Sequence, residues 1–148
     1  ACDFHYNKHD EIEFPKRIVS FTDKTRYIFH ISKGLIGAES REKPFDVNRK
    51  FKKDALRIPG DQMIFVGDGY TDVPCFSLIG KNGGIPLAVC DTSDRQKWGR
   101  AWGFMEEQRV IHWATADYQK GSTLYASLMM ALETIANRMM IKQRVYQG

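Results

Sequence analysis

Asp68 and Asp72 stand four positions apart, directly after an apolar run that ends in glycine, Met63-Ile64-Phe65-Val66-Gly67. A short continuous apolar run is what a strand buried on both faces requires. In an open α/β sheet, ligands bind beyond the carboxyl ends of the strands, so this strand delivers its acids to such an edge. Gly67 and Gly69 permit a sharp turn and the close approach of a ligand, and Thr71 belongs to the same loop. Asp68 then projects from the strand tip, and Asp72 opens the following helix. Two hard oxygen donors so placed suit Mg²⁺, which takes one or two carboxylates with water and phosphate oxygens. The plain alternative is a tight Gly-Asp-Gly turn followed by a helix cap at Asp72.

The surrounding pattern supplies the elements that must hold this loop. Residues 17–21 and 26–32 are rich in Ile, Val, Phe and Tyr around the turn-prone Thr22-Asp23-Lys24, which predicts two strands able to form a hairpin. Lys33-Gly34 ends the second. A helix is expected from Pro44, with Val47, Phe51, Ala55 and Ile58 on one face and Pro59-Gly60 as its stop. Strand 63–66 leads through the acidic turn into a helix capped by Asp72, with Pro74 in its first turn, running to about Gly80. A strand at 85–90, a helix at 93–107 and a strand at 109–114 follow. The loop 115–121 leads to a long helix, 122–141, whose stripe of Leu124, Leu128, Leu132, Ile135 and Met139 is expected to pack on a sheet. Alternating strands and helices mean an α/β fold, a three-layer sandwich with a mainly parallel sheet. The chain reads as one domain, with a strand or hairpin region over 1–32 and the α/β core over 33–148.

At 148 residues and 43% hydrophobic, the chain is long enough to bury a core. No apolar stretch reaches the roughly 18 residues of a transmembrane helix. No secretory signal is visible, and the first residue is Ala1 and not Met, which leaves an upstream segment missing, cleaved or not part of this chain as the alternatives. Twenty-two Lys and Arg against 18 Asp and Glu give a net charge of +4. That favours a solvated surface, and after it a site for anionic ligands, over a nucleic-acid groove. Neither a nucleic-acid nor a membrane partner is expected. Cys2, Cys75 and Cys90 are odd in number, with no CxxC or zinc spacing, so a reducing cytoplasm is the simplest setting.

The run Phe65-Val-Gly-Asp-Gly-Tyr-Thr-Asp-Val-Pro-Cys75 resembles the fourth motif of the haloacid dehalogenase-like phosphatase superfamily, a hydrophobic strand followed by GDGxxD. Similarity to one bacterial branch extends in order through Phe21-Thr-Asp-Lys-Thr25, Ile31-Ser-Lys-Gly34, Arg57-Ile-Pro59, Gly83-Gly84 with Ala88-Val89, and Ala116-Asp-Tyr118 with Gly121-Ser122. The resemblance implies a Rossmann-like fold and Mg²⁺-dependent hydrolysis of a small phosphomonoester through an aspartyl-phosphate. It makes Asp68 the metal-binding carboxylate, and Asp72 a second ligand or the holder of a metal-bound water. It also implies a phosphate-binding lysine upstream. Lys33, 35 positions before Asp68, is the first choice and Lys24 the second.

The family's DxDx[TV] run, whose first Asp is the nucleophile, does not occur in these residues, nor does its strand-end Ser or Thr. Asp23-Lys-Thr25 superficially resembles the DKT of ion-pumping ATPases. However, Arg26-Tyr27 follows it in place of Gly-Thr, and Asp68 lies only 45 positions on. Asp23 is therefore read as a turn carboxylate. The chain is expected to supply the metal-binding half of a phosphatase, inactive alone and completed by a missing amino-terminal half, a partner chain or self-association. The competing readings are a non-catalytic binding or assembly module of the same fold and an unrelated α/β metal-binding or nucleotide-binding domain, the latter unsupported because no P-loop or GxGxxG is present.

Other residues receive plainer readings. Cys75 is expected in the core, His30 and His112 as structural residues in strands, and Trp98 and Trp102 in core or at a partner interface. The cations 49–53 form a solvated helix face. Asp117 either contacts the metal shell or substrate, or stabilises its own loop.

Overall fold

The computed structural model describes residues 3–37, 43 and 45–146. Its centre is a three-stranded parallel sheet of β3 (Ile64–Gly67), β4 (Ile85–Cys90) and β5 (His112–Thr115), in that spatial order. Gly67 pairs with Ala88, Ala88 with Trp113, and Cys90 with Thr115, so all three strands end on one side. Every residue of β4 is buried. On one face, Ala88 and Cys90 pack with Phe76, Ala101 and Phe104, which lie on α2 (Val73–Lys81) and α3 (Arg95–Glu106). On the other, Ile85, Leu87 and Val89 pack with Leu124, Ala131 and Ile135 of α4 (Thr123–Tyr146). The mixed α/β class and parallel sheet are as the alternating pattern predicts.

Upstream of residue 63 the structure departs from expectation. The hairpin lies earlier, between β1 (Asp3–Tyr6) and β2 (Ile12–Arg17), which are antiparallel. Residues 26–32, predicted as a strand, belong to α1 (Phe21–Lys33), which packs against α2. Their β-branched and aromatic content is overridden by strong end signals. The Ser20 hydroxyl accepts from the Asp23 amide, and the Asp23 carboxylate accepts from the Ser20 amide at 3.1 Å. This is a reciprocal capping box. Gly34 closes the helix at φ 72°, donating to the Ile31 carbonyl. His30 is thus helical, its Nδ1 3.0 Å from the Leu35 carbonyl.

The helix expected over 44–58 is absent from its described residues. Asp46–Asn48 and Lys53–Ala55 are single 3-10 turns, and Pro44 lies outside the described residues. Lys33 Nζ donates to the carbonyls of Val47 and Arg49 at 2.6 Å each, binding groups that a continuous helix would have used internally. The stripe on α4 is also corrected. Leu124, Ala131 and Ile135 are buried, with Leu128 partly so, but Leu132 is 52% exposed and Met139 38%. Each step of four residues over-rotates the helix by about 40°, so two successive steps carry Leu132 off the core face, and Ala131 takes its place. No helix among the described residues is long and apolar enough to cross a membrane.

Candidate functional site at the carboxyl edge of the sheet

β3 ends at Gly67, and the chain turns through Asp68 and Gly69 into a 3-10 turn, Tyr70–Asp72, that runs on into α2. Asp72 is the N-cap of α2 by position, yet its side chain makes no cap bond to the helix. It reaches back instead. Its Oδ2 accepts from the amides of Asp68 at 3.0 Å and Gly69 at 3.2 Å. Its Oδ1 accepts from Lys24 Nζ at 2.7 Å. At 4% exposure Asp72 is the one buried charged residue among those described. A charge taken out of water needs such a set of partners.

Gly67 makes this arrangement possible. A Cβ there would lie 2.7 Å from Cβ and Cγ of Asp72 and 2.8 Å from its Oδ2. Gly69 differs: its φ of −149° is ordinary extended backbone, and nothing lies within 4 Å of the place a Cβ would occupy. The first glycine admits the carboxylate; the second leaves open space beside the loop.

Of the two candidate lysines, the structure brings Lys24 to the loop, in reverse of the sequence-based preference. Lys24 stands in the first turn of α1 and also donates to Thr71 Oγ1 at 3.0 Å. Lys33 is nine residues further along, about 14 Å at the helical rise, and its ammonium is held by Val47 and Arg49. The ordering of 17–32 as two strands concealed this. The signal that reveals it is Ser20-Phe-Thr-Asp23 ahead of an apolar run, the pattern of a capping box.

Asp68 is exposed at the strand tip, its backbone amide pinned to Asp72. Asp117, also exposed, accepts from the Gln119 amide at 2.9 Å and so holds its own loop. A third acid, Asp91, follows β4 on the same edge. Hydrogen bonds from the Ser93 hydroxyl and amide lower its pKa below the ordinary value. The strand-end rule that selects Asp68 selects Asp91 equally. Tyr70, 70% exposed, sets its ring edge-on against Phe104, and the Arg100 guanidinium lies 5.2 Å from its centroid. No spacing in the sequence marks that contact. Asp23, engaged in the α1 cap, is accounted for as a local structural carboxylate. Cys75 is fully buried beneath the loop; burial raises its pKa, and the Asp72 carboxylate adds to the shift while Lys24 opposes it.

The donor set bears on the metal. No group of three His, Cys, Asp or Glu able to hold an ion is present among the described residues. Asp72 is turned towards Lys24 and the loop amides, while Asp68 and Asp91 are the exposed acids on this edge, with Asp68 on the loop itself. These residues fit one ligand of a shared Mg²⁺ site and not a site complete in itself.

The chain is 34% identical over 114 residues to an uncharacterized protein of Borreliella burgdorferi, a match covering 75% of this chain and 36% of that protein. It therefore spans about a third of the length of the curated relative it matches. No protein-family model and no solved structure matches it.

Proposed function

We propose that this chain supplies the metal- and phosphate-binding half of a Mg²⁺-dependent phosphatase with a haloacid dehalogenase-like, Rossmann-like fold, acting on a small phosphomonoester. The observation that carries the reading is the 2.7 Å pair of Lys24 and buried Asp72 at the carboxyl end of β3, beside exposed Asp68. Asp72 fixes the Lys24 ammonium, which faces the phosphoryl oxygens and offsets their charge. Asp68 offers its carboxylate to the cation, which when bound neutralises the same oxygens. Gly69 leaves room for the phosphoryl group to approach the loop backbone. The attacking aspartate comes from a segment outside these 148 residues.

The test uses a polypeptide that carries this chain together with a DxDx[TV] strand. It is expected to hydrolyse an aryl phosphate with Mg²⁺. Asp68→Asn should lose both turnover and Mg²⁺ binding, while Lys24→Met should lose turnover and keep Mg²⁺ binding. Unchanged Mg²⁺ affinity in Asp68→Asn would remove the basis of the proposal. Because Asp23 is engaged in a cap, a non-catalytic binding module is the second reading. Mg²⁺ binding without turnover in the longer polypeptide would favour it.

A further inference from the structure

At the far end of α1 lies a second concavity, of about 240 Å³, which the phosphatase reading does not use. Its walls are Ile28 and Phe29 of α1, Phe51 and Leu56 of the segment that follows, and Leu78 and Ile79 of α2. It exists because the segment after α1 crosses the helix end as single turns and not as a packed helix. Its polar members are unevenly satisfied. Ser32 Oγ donates to the Ile58 carbonyl and Asn82 Nδ2 to that of Leu78, so both are committed to backbone. The two remaining are cations, Lys33 and Lys50.

Neither cation has a carboxylate partner among the described residues. Lys33 donates to two carbonyls, and an ammonium has three N–H groups. Its charge is offset only by those dipoles and by the rings of Phe51 and Phe29, 5.2 and 6.0 Å away. Lys50 is exposed at the rim; of the acids around it in sequence, Asp46 pairs with Arg49, and Asp54, which lines a neighbouring concavity with Lys33, forms no ion pair with either lysine. An apolar wall with two ammonium groups that lack a carboxylate partner among the described residues complements one kind of molecule. We infer that this pocket binds a small amphiphilic anion, a short alkyl or single-ring carboxylate, with its apolar body between α1 and α2 and its carboxylate on Lys33 and Lys50. The volume lies just below the roughly 300–1,000 Å³ common for small-ligand sites, which sets the upper size. The inference stands independently of the proposed phosphatase chemistry.

The experiment is a titration of the 148-residue chain with octanoate, octanol and octylammonium, followed by ¹H–¹⁵N NMR. Saturable octanoate shifts are expected at Ile28, Phe29, Phe51, Leu56, Leu78 and Ile79, with octanol binding more weakly. Lys50→Gln should weaken octanoate by roughly twofold to fivefold, the range for one exposed charge pair, and leave octanol unchanged. Lys50→Glu, a surface change that spares the fold, should reverse the preference towards octylammonium. Leu78→Trp, which fills the cavity, should abolish binding of all three. Equal affinity for octanoate and octanol, no response to either Lys50 variant, or shifts mapping elsewhere would each overturn the inference.

Discussion

The Lys24 ammonium lies 2.7 Å from Asp72 Oδ1 and joins residues 48 positions apart, tying the start of α1 to the start of α2. Asp72 is buried and Lys24 is about one-third exposed, so the acid depends on the base more than the reverse. Lys24→Met leaves a buried carboxylate with only its two amide donors. A fully buried pair broken in this way costs about 3–5 kcal/mol; partial exposure of Lys24 reduces the expectation to about 2 kcal/mol. Urea unfolding of Lys24→Met, Asp72→Asn and the double variant checks it. The double variant should be less destabilised than the sum of the singles, and strict additivity would show that the pair contributes no coupling.

The two glycines of the loop should respond oppositely to alanine. Gly67→Ala forces a Cβ to within 2.7 Å of Asp72 and is expected to destabilise, by about 1–3 kcal/mol. Gly69→Ala meets nothing within 4 Å and should stay within about 0.5 kcal/mol of the parent. Thermal melts of the two variants decide this, and similar losses in both would contradict the geometry.

Alkaline pH should weaken the fold through Cys75. Its pKa in the folded chain is raised above the ordinary 9.0, first by burial and then by Asp72. Above pH 9 the unfolded chain has released a proton that the folded chain retains. Stability is therefore fully present below that pH and falls as pH rises towards the folded pKa. Cys90 shifts in the same direction, again through burial with Asp91 adding to it. Urea midpoints of Cys75→Ala between about pH 8 and 10 should decline less steeply than those of the parent. Identical slopes would remove Cys75 as the cause.

Along α4, core and surface separate within one run of leucines. Leu124 is fully buried and Leu132 half exposed. Leu124→Ala is expected to cost about 3 kcal/mol, and Leu132→Ala no more than about 0.5 kcal/mol. Chemical denaturation of each variant tests the helix rotation, and a larger loss at Leu132 would place the other face on the sheet.

From residue 63 onward the sequence alone determined the order of elements. Apolar β4, the Gly67-Asp68-Gly69 turn and Pro74 leave little choice of local structure, because a strand buried on both faces needs a short continuous apolar run bounded by breakers. Asp68 and Asp72 were legible as a pair, and Cys75 as core, for the same reason. Before residue 63, β-branched and aromatic residues outnumber clear breakers, and α1 could be recognised only from its capping box and from its packing on α2. Tertiary structure decided the rest. It brought Lys24, and not Lys33, against Asp72, because only the first turn of α1 reaches that loop. It turned Asp72 from a helix cap into the holder of two amides and an ammonium, because a buried carboxylate must take its partners wherever the fold brings them.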